Sequence, residues 1–139
     1  MAQIFNIIDT LQFVSKYTDL HLERVRDDAR YKYKFKPIIY ALIRSATAKV
    51  YIGSTWDSVR RFRQHLVTGH TSNLEMQEHI KEHGLESFSL IVLYIVKFPS
   101  STTKDERRVL LRKKEQEYKD KFPLEIQYPG NRAFASEPK

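Results

Sequence analysis

The sequence predicts an α+β domain on three observations. Two short runs rich in β-branched and aromatic residues, Ile38 to Ile43 and Val50 to Gly53, lie close enough to pair as an antiparallel hairpin. The stretch Phe88 to Val96, FSLIVLYIV, is almost unbroken apolar, as expected of a strand covered on both faces at the centre of a sheet. Ser54 with Asp57, Ser72 with Glu75 and Thr103 with Glu106 each have the form of a capping box that opens a helix.

A chain of 139 residues, 41% hydrophobic and 29% charged, suits one globular domain. The absence of cysteine excludes disulfides, zinc fingers, iron–sulfur clusters and a thiol nucleophile. A formal net charge of +7 favours a polyanionic partner, nucleic acid before an anionic membrane. Residues 97–139 hold most of that excess, with 11 basic against 7 acidic groups. No apolar run approaches the ~18 residues of a membrane span. Neither a secretory signal nor an arginine-rich transit peptide is expected, because no arginine precedes Arg24 and no small-residue cleavage site follows a basic start.

Taken in order, Ile4, Ile7, Ile8, Leu11 and Val14 fall on one helical face, and Leu22, Val25 and Ala29 continue the pattern after a break near Tyr17 to Asp19. Two helices packed on the domain are expected. A membrane-surface helix is disfavoured for the first, whose polar face has only Lys16 as a cation. Tyr31 to Lys36 then alternates aromatic and basic residues, so an extended chain would set three rings against three ammonium groups. That segment reads either as an edge whose lysines block association or as a nucleic-acid arm, with Lys32, Lys34 and Lys36 on phosphates and rings on bases.

In the hairpin, Tyr40 and Tyr51 lie on neighbouring strands and can share a face. A cross-strand tyrosine pair is in itself an ordinary sheet stabiliser. The helix that follows has Trp56, Val59, Phe62 and Leu66 as its buried stripe. Arg61 and His65, four apart, are neighbours on one flank of it, while Arg60 and Arg63 face solvent or phosphate. Gly53, where strand turns into helix, suggests close backbone packing or an unusual dihedral. A helix through Met76 and Ile80 ends at His83 and Gly84, and the last helix runs from Thr103 to about Phe122. Its stripe of Leu111, Tyr118 and Phe122 contains Glu115, a carboxylate that must be paired, protonated or metal-bound if buried. A salt bridge or a reach to solvent is the plain alternative. Tyr128, Pro129, Gly130 and Asn131 read as turn.

These residues resemble the GIY-YIG nuclease family, named for two short strand motifs about ten residues apart. The second motif stands here as Tyr51, Ile52, Gly53. The first stands as Ile38, Ile39, Tyr40, with isoleucine where the family usually has glycine. Arg61 and His65 match the arginine and histidine of the family's next helix. Glu115 with Tyr118 matches its late glutamate and aromatic, and Asn131 an asparagine common after the last helix. The resemblance covers Pro37 to about Phe134.

It implies a small three-stranded mixed sheet flanked by helices, residues 37–134, preceded by a helical extension (1–36) and followed by a tail (135–139). It further implies a metal-dependent endonuclease acting on DNA, similar to the catalytic module of intron-encoded homing enzymes. Glu115 would be the single protein ligand of a largely hydrated Mg²⁺ or other divalent cation, and Arg61 would clamp the phosphate. Tyr51 or His65 would activate water, and Tyr40 would orient one of them. His70 is a further phosphate candidate. Homing enzymes usually join this module to a separate DNA-binding region, so the second expectation is a nucleic-acid-binding ribonucleoprotein component, binding DNA or RNA in a larger assembly and keeping the fold without catalysis. The setting expected is intracellular, either an organelle-encoded mitochondrial protein or one of phage or bacterial cytoplasm.

Overall fold

The computed structural model describes residues 10–45 and 49–129. Of the expected first helical stripe, Ile4, Ile7 and Ile8 lie outside them, as do Gly130, Asn131 and the tail, whereas Leu11 and Val14 are described and stand outside any helix, the Val14 amide being taken into sheet pairing by the Val92 carbonyl. The described residues form an α+β domain with strands β1 (Ser15–Tyr17), β2 (Ile38–Arg44), β3 (Lys49–Thr55) and β4 (Phe88–Ile95). Its helices are α1 (Glu23–Lys32), α2 (Ser58–Arg63), α3 (Leu74–His83) and α4 (Lys104–Lys119). No helix among the described residues is long and apolar enough to cross a membrane.

The sheet order is β1-β4-β2-β3, and every strand pairing is antiparallel. The expected sheet of three mixed strands is therefore corrected to four antiparallel ones. The fourth comes from Ser15 to Tyr17, a stretch without strand periodicity. Its backbone supplies the partners that the outer side of apolar β4 needs, with Ser15 opposite Val92 and the Val14 amide donating to the Val92 carbonyl at 2.8 Å.

Strand β2 is buried along its whole length, because the sheet is covered on both sides. One face carries Ile38, Tyr40, Leu42, Leu90 and Val92 against Ala29, Phe62, Leu66 and Met76 of α1, the α2 segment and α3. The other carries Ile39, Ala41, Ile43, Ile52 and Ile91 against Leu111 and Phe122 at α4.

Local chemistry places the helix starts. Thr103 and Glu106 make a true capping box. The other two signals shift: Asp57 rather than Ser54 caps α2, accepting from the Arg60 amide at 3.1 Å. Likewise Asn73, not Ser72, caps α3, accepting from the Met76 amide at 2.9 Å. Both serines are thereby released for other bonds. The Tyr31 to Lys36 alternation is also corrected. Helix α1 runs through Lys32, which buries Tyr33 one turn beyond Ala29 and leaves Phe35 at φ 65° and 83% exposed.

Candidate functional site

The β2–β3 register sets Leu42 opposite Tyr51 and Tyr40 opposite Gly53, so both tyrosines point to the α2 side of the sheet. Gly53 is required there by close approach: a Cβ would meet the Tyr40 hydroxyl at 2.5 Å and its ring at 2.7 Å. The Tyr40 ring stands edge-on to Phe62 at 4.9 Å. Helix α2 continues into a π-helical turn, Gln64–Thr68, that ends at Gly69 with φ 74°. Arg61 and His65 straddle that junction and reach one tyrosine hydroxyl each.

The Tyr40 hydroxyl is 2.7 Å from His65 Nε2, and Arg61 Nη2 donates to the Tyr51 hydroxyl at 3.1 Å. Arg61 Nη1 is held by the Gln64 side-chain oxygen at 2.7 Å and the Thr71 carbonyl at 2.8 Å. The second nitrogen of His65, Nδ1, lies 2.7 Å from Ser72 Oγ. Four of the five residues singled out in the sequence, Tyr40, Tyr51, Arg61 and His65, thus form one connected cluster.

Burial dominates its electrostatics. His65 is pushed well below its ordinary value by burial and then by the Arg61 charge, so its imidazole is neutral. Burial raises both tyrosine hydroxyls. At Tyr51 the charge and hydrogen bond of Arg61 oppose that rise. Arg61 itself is held charged by the tyrosines against its own desolvation.

Glu115 lies elsewhere. It projects from α4 on the opposite face of the sheet, completely buried, where it accepts from the hydroxyl of Ser54. Ser54 alternates with Tyr51 and Gly53 along β3, so its side chain points away from theirs. The other Glu115 oxygen is 2.9 Å from Nζ of Lys119, one helical turn on and also buried. Of the three states open to a buried carboxylate, the paired one is present. The Glu115 charge still acts on Tyr40 and Tyr51 through the edge strand.

The family model described as the GIY-YIG catalytic domain matches residues 36–123, more than half of the chain. The chain belongs to the GIY-YIG family. Comparison with curated proteins and with solved structures returns no match. In this GIY-YIG domain the first motif keeps its tyrosine, and Ile38, in place of glycine, is fully buried in the core.

Glu115 is fully buried with both oxygens engaged, so a divalent cation would reach it in one manner only. A single carboxylate oxygen would bind it, with water and phosphate oxygens completing the shell, and Lys119 would have to yield its contact. Among the described residues, no group of three or more His, Asp or Glu side chains gathers as a metal cluster. Lys32, Lys34, Lys36, Arg60, Arg63 and His70 are all exposed. Arg60 pairs with Asp57 at 3.5 Å, and Lys34 lies over the Phe35 ring at 5.1 Å.

Sequence reasoning missed Ser54, Ser72, Lys119 and Gln77, whose side-chain nitrogen donates to Ser72 Oγ at 2.9 Å. Lys119 had a signal, since it stands four residues after Glu115 on one helical face. Ser72 was hidden because its position suggested a cap.

Proposed function

We propose that this GIY-YIG domain is an endonuclease that hydrolyses phosphodiester bonds of DNA with the help of a divalent cation, in the manner of the homing enzymes it resembles. The observation that carries the reading is the buried pairing of the Arg61 guanidinium with the Tyr51 hydroxyl, backed by a neutral His65 behind Tyr40. Hydrolysis needs an activated water, charge stabilisation on the phosphate and help for the leaving oxygen. Arg61, fixed by Gln64 and Thr71, would clamp the non-bridging oxygens with charge-assisted hydrogen bonds. Tyr51 would meet the water. His65 has both ring nitrogens engaged and is 1% exposed, so its part is to act through Tyr40. A divalent cation on Glu115 would supply Lewis-acid stabilisation of the leaving oxygen.

The test is cleavage of supercoiled and branched DNA by the purified protein with Mg²⁺ or Mn²⁺. Cleavage lost in Arg61→Ala and in Glu115→Ala is the expected result. A wild type as inert as those variants, across metals and substrates, overturns it.

Two observations favour a second reading. Glu115 is charge-compensated inside the fold by Lys119 and Arg61 Nη1 is tied to its own helix and loop, which suits a domain that binds nucleic acid in a ribonucleoprotein without cutting it. Salt-dependent binding to DNA or RNA without cleavage would select that reading.

A further inference from the structure

The cluster of hydroxyls around His65 has a direction, and it begins at Gln77. The Gln77 side-chain nitrogen donates to the main-chain carbonyl of His65 at 2.9 Å. A carbonyl only accepts, so the amide orientation is fixed there. The same nitrogen donates its other hydrogen to Ser72 Oγ, also at 2.9 Å. With that hydrogen arriving from Gln77, the proton of the Ser72 hydroxyl is directed at its other partner, Nδ1 of His65, 2.7 Å away. A neutral imidazole that accepts at Nδ1 carries its own proton at Nε2, which then donates to the Tyr40 oxygen at 2.7 Å. The Tyr40 proton is left to turn toward Tyr51, whose oxygen also receives Arg61 Nη2.

The loop that delivers Ser72 is itself committed to this arrangement. Thr71 stands at φ 55°, in the left-handed region that a β-branched residue rarely adopts. That conformation presents the Thr71 carbonyl to Arg61 Nη1 at 2.8 Å while the next residue presents Oγ to His65. Strain held at such a point is commonly retained where geometry matters for function.

We propose that Ser72 and Gln77 are positioning residues which hold His65 as the Nε2–H tautomer, so that hydrogen-bond donors run in one direction from Gln77 through Ser72, His65 and Tyr40 toward the Tyr51 oxygen. In that arrangement the donors stabilise negative charge developing on the Tyr51 oxygen, which Arg61 also contacts. The tautomer assignment stands on the hydrogen bonds together with the neutrality that burial gives the ring. Only the catalytic consequence rests on the nuclease reading.

Long-range nitrogen–proton NMR of the His65 ring tests the assignment directly. The wild type should show a protonated Nε2 and an acceptor Nδ1, and Ser72→Thr should keep that pattern. Gln77→Glu, of equal size but carrying an acceptor where the amide donated, should draw the Ser72 proton to itself and convert the ring to Nδ1–H. A wild-type ring protonated at Nδ1, or a Gln77→Glu ring unchanged in a folded protein, overturns the proposal.

On cleavable DNA, Ser72→Ala should lower kcat by about tenfold to a hundredfold with little change in KM, and Ser72→Thr should restore it. Equal kcat in Ser72→Ala and wild type overturns the catalytic consequence. A protein that cuts no DNA yet shows the Nε2–H ring fails the nuclease reading while the positioning role stands.

Discussion

Nζ of Lys119 lies 2.9 Å from a carboxylate oxygen of Glu115, with the two side chains 3% and 0% exposed. Removing one partner of such a pair strands the other charge away from water. Lys119→Met should therefore cost about 3–5 kcal/mol of stability in urea unfolding. The double variant with Glu115→Gln should recover most of that loss. If a divalent cation binds Glu115, added Mg²⁺ should raise the Tm of Lys119→Met more than that of the wild type. Equal shifts in the two proteins would deny that exchange.

Gly53 has no room for a methyl group beneath Tyr40. The Tyr40 ring is wedged against Phe62 and fully buried, so it has little freedom to move aside. Gly53→Ala is expected to destabilise the domain by about 1–3 kcal/mol through overpacking. It should also break the Tyr40–His65 contact, which shifts in the His65 ring signals would report.

Acid should weaken the fold through His65. The folded state holds this ring neutral, with its pKa well below the ordinary 6.5, while the unfolded chain takes up a proton near that value. Below about pH 6.5 the unfolded state therefore binds more protons, and stability falls as pH drops toward the folded pKa. The expected slope is up to about 1.4 kcal/mol per pH unit from this group. Urea unfolding at a series of pH values should show it in the wild type. His65→Gln should lack that component.

The exposed lysines offer a cheap reading of partner contact. If Lys32, Lys34 and Lys36 each meet a phosphate, changing all three to glutamine should flatten the plot of log affinity against log salt by about 0.9 per contact on duplex DNA. An unchanged slope would remove this segment from the interface.

The tyrosines, the Arg61–His65 spacing and the odd glutamate on the α4 stripe were legible because each follows from a local period, two along a strand or four along a helix. Strand β1 was not, since Ser15 to Tyr17 pairs through backbone groups that every residue carries. Tyr31 to Lys36 alternates like a strand, yet α1 extends into it because burying Tyr33 beside Ala29 outweighs the local pattern. Nor could the sequence tell that Glu115 and the tyrosines lie on opposite faces, because that depends on which side α4 covers. Ser54 and Ser72 looked like caps, and only the neighbours Asp57 and Asn73, better placed to cap, freed them for Glu115 and His65.

The sheet separates two machines that would have to cooperate. On one side hydroxyls, imidazole and guanidinium satisfy one another; on the other, carboxylate and ammonium do the same. Each half pairs within its own layer, yet the Glu115 charge still reaches Tyr40 and Tyr51, so exchanging Glu115 and Lys119 together for neutral residues removes one of the influences that raise those hydroxyls. If the proposed cation site is at Glu115, a lineage carrying this domain stands two substitutions from an inert scaffold of the same shape, and chemistry and architecture are free to be inherited separately.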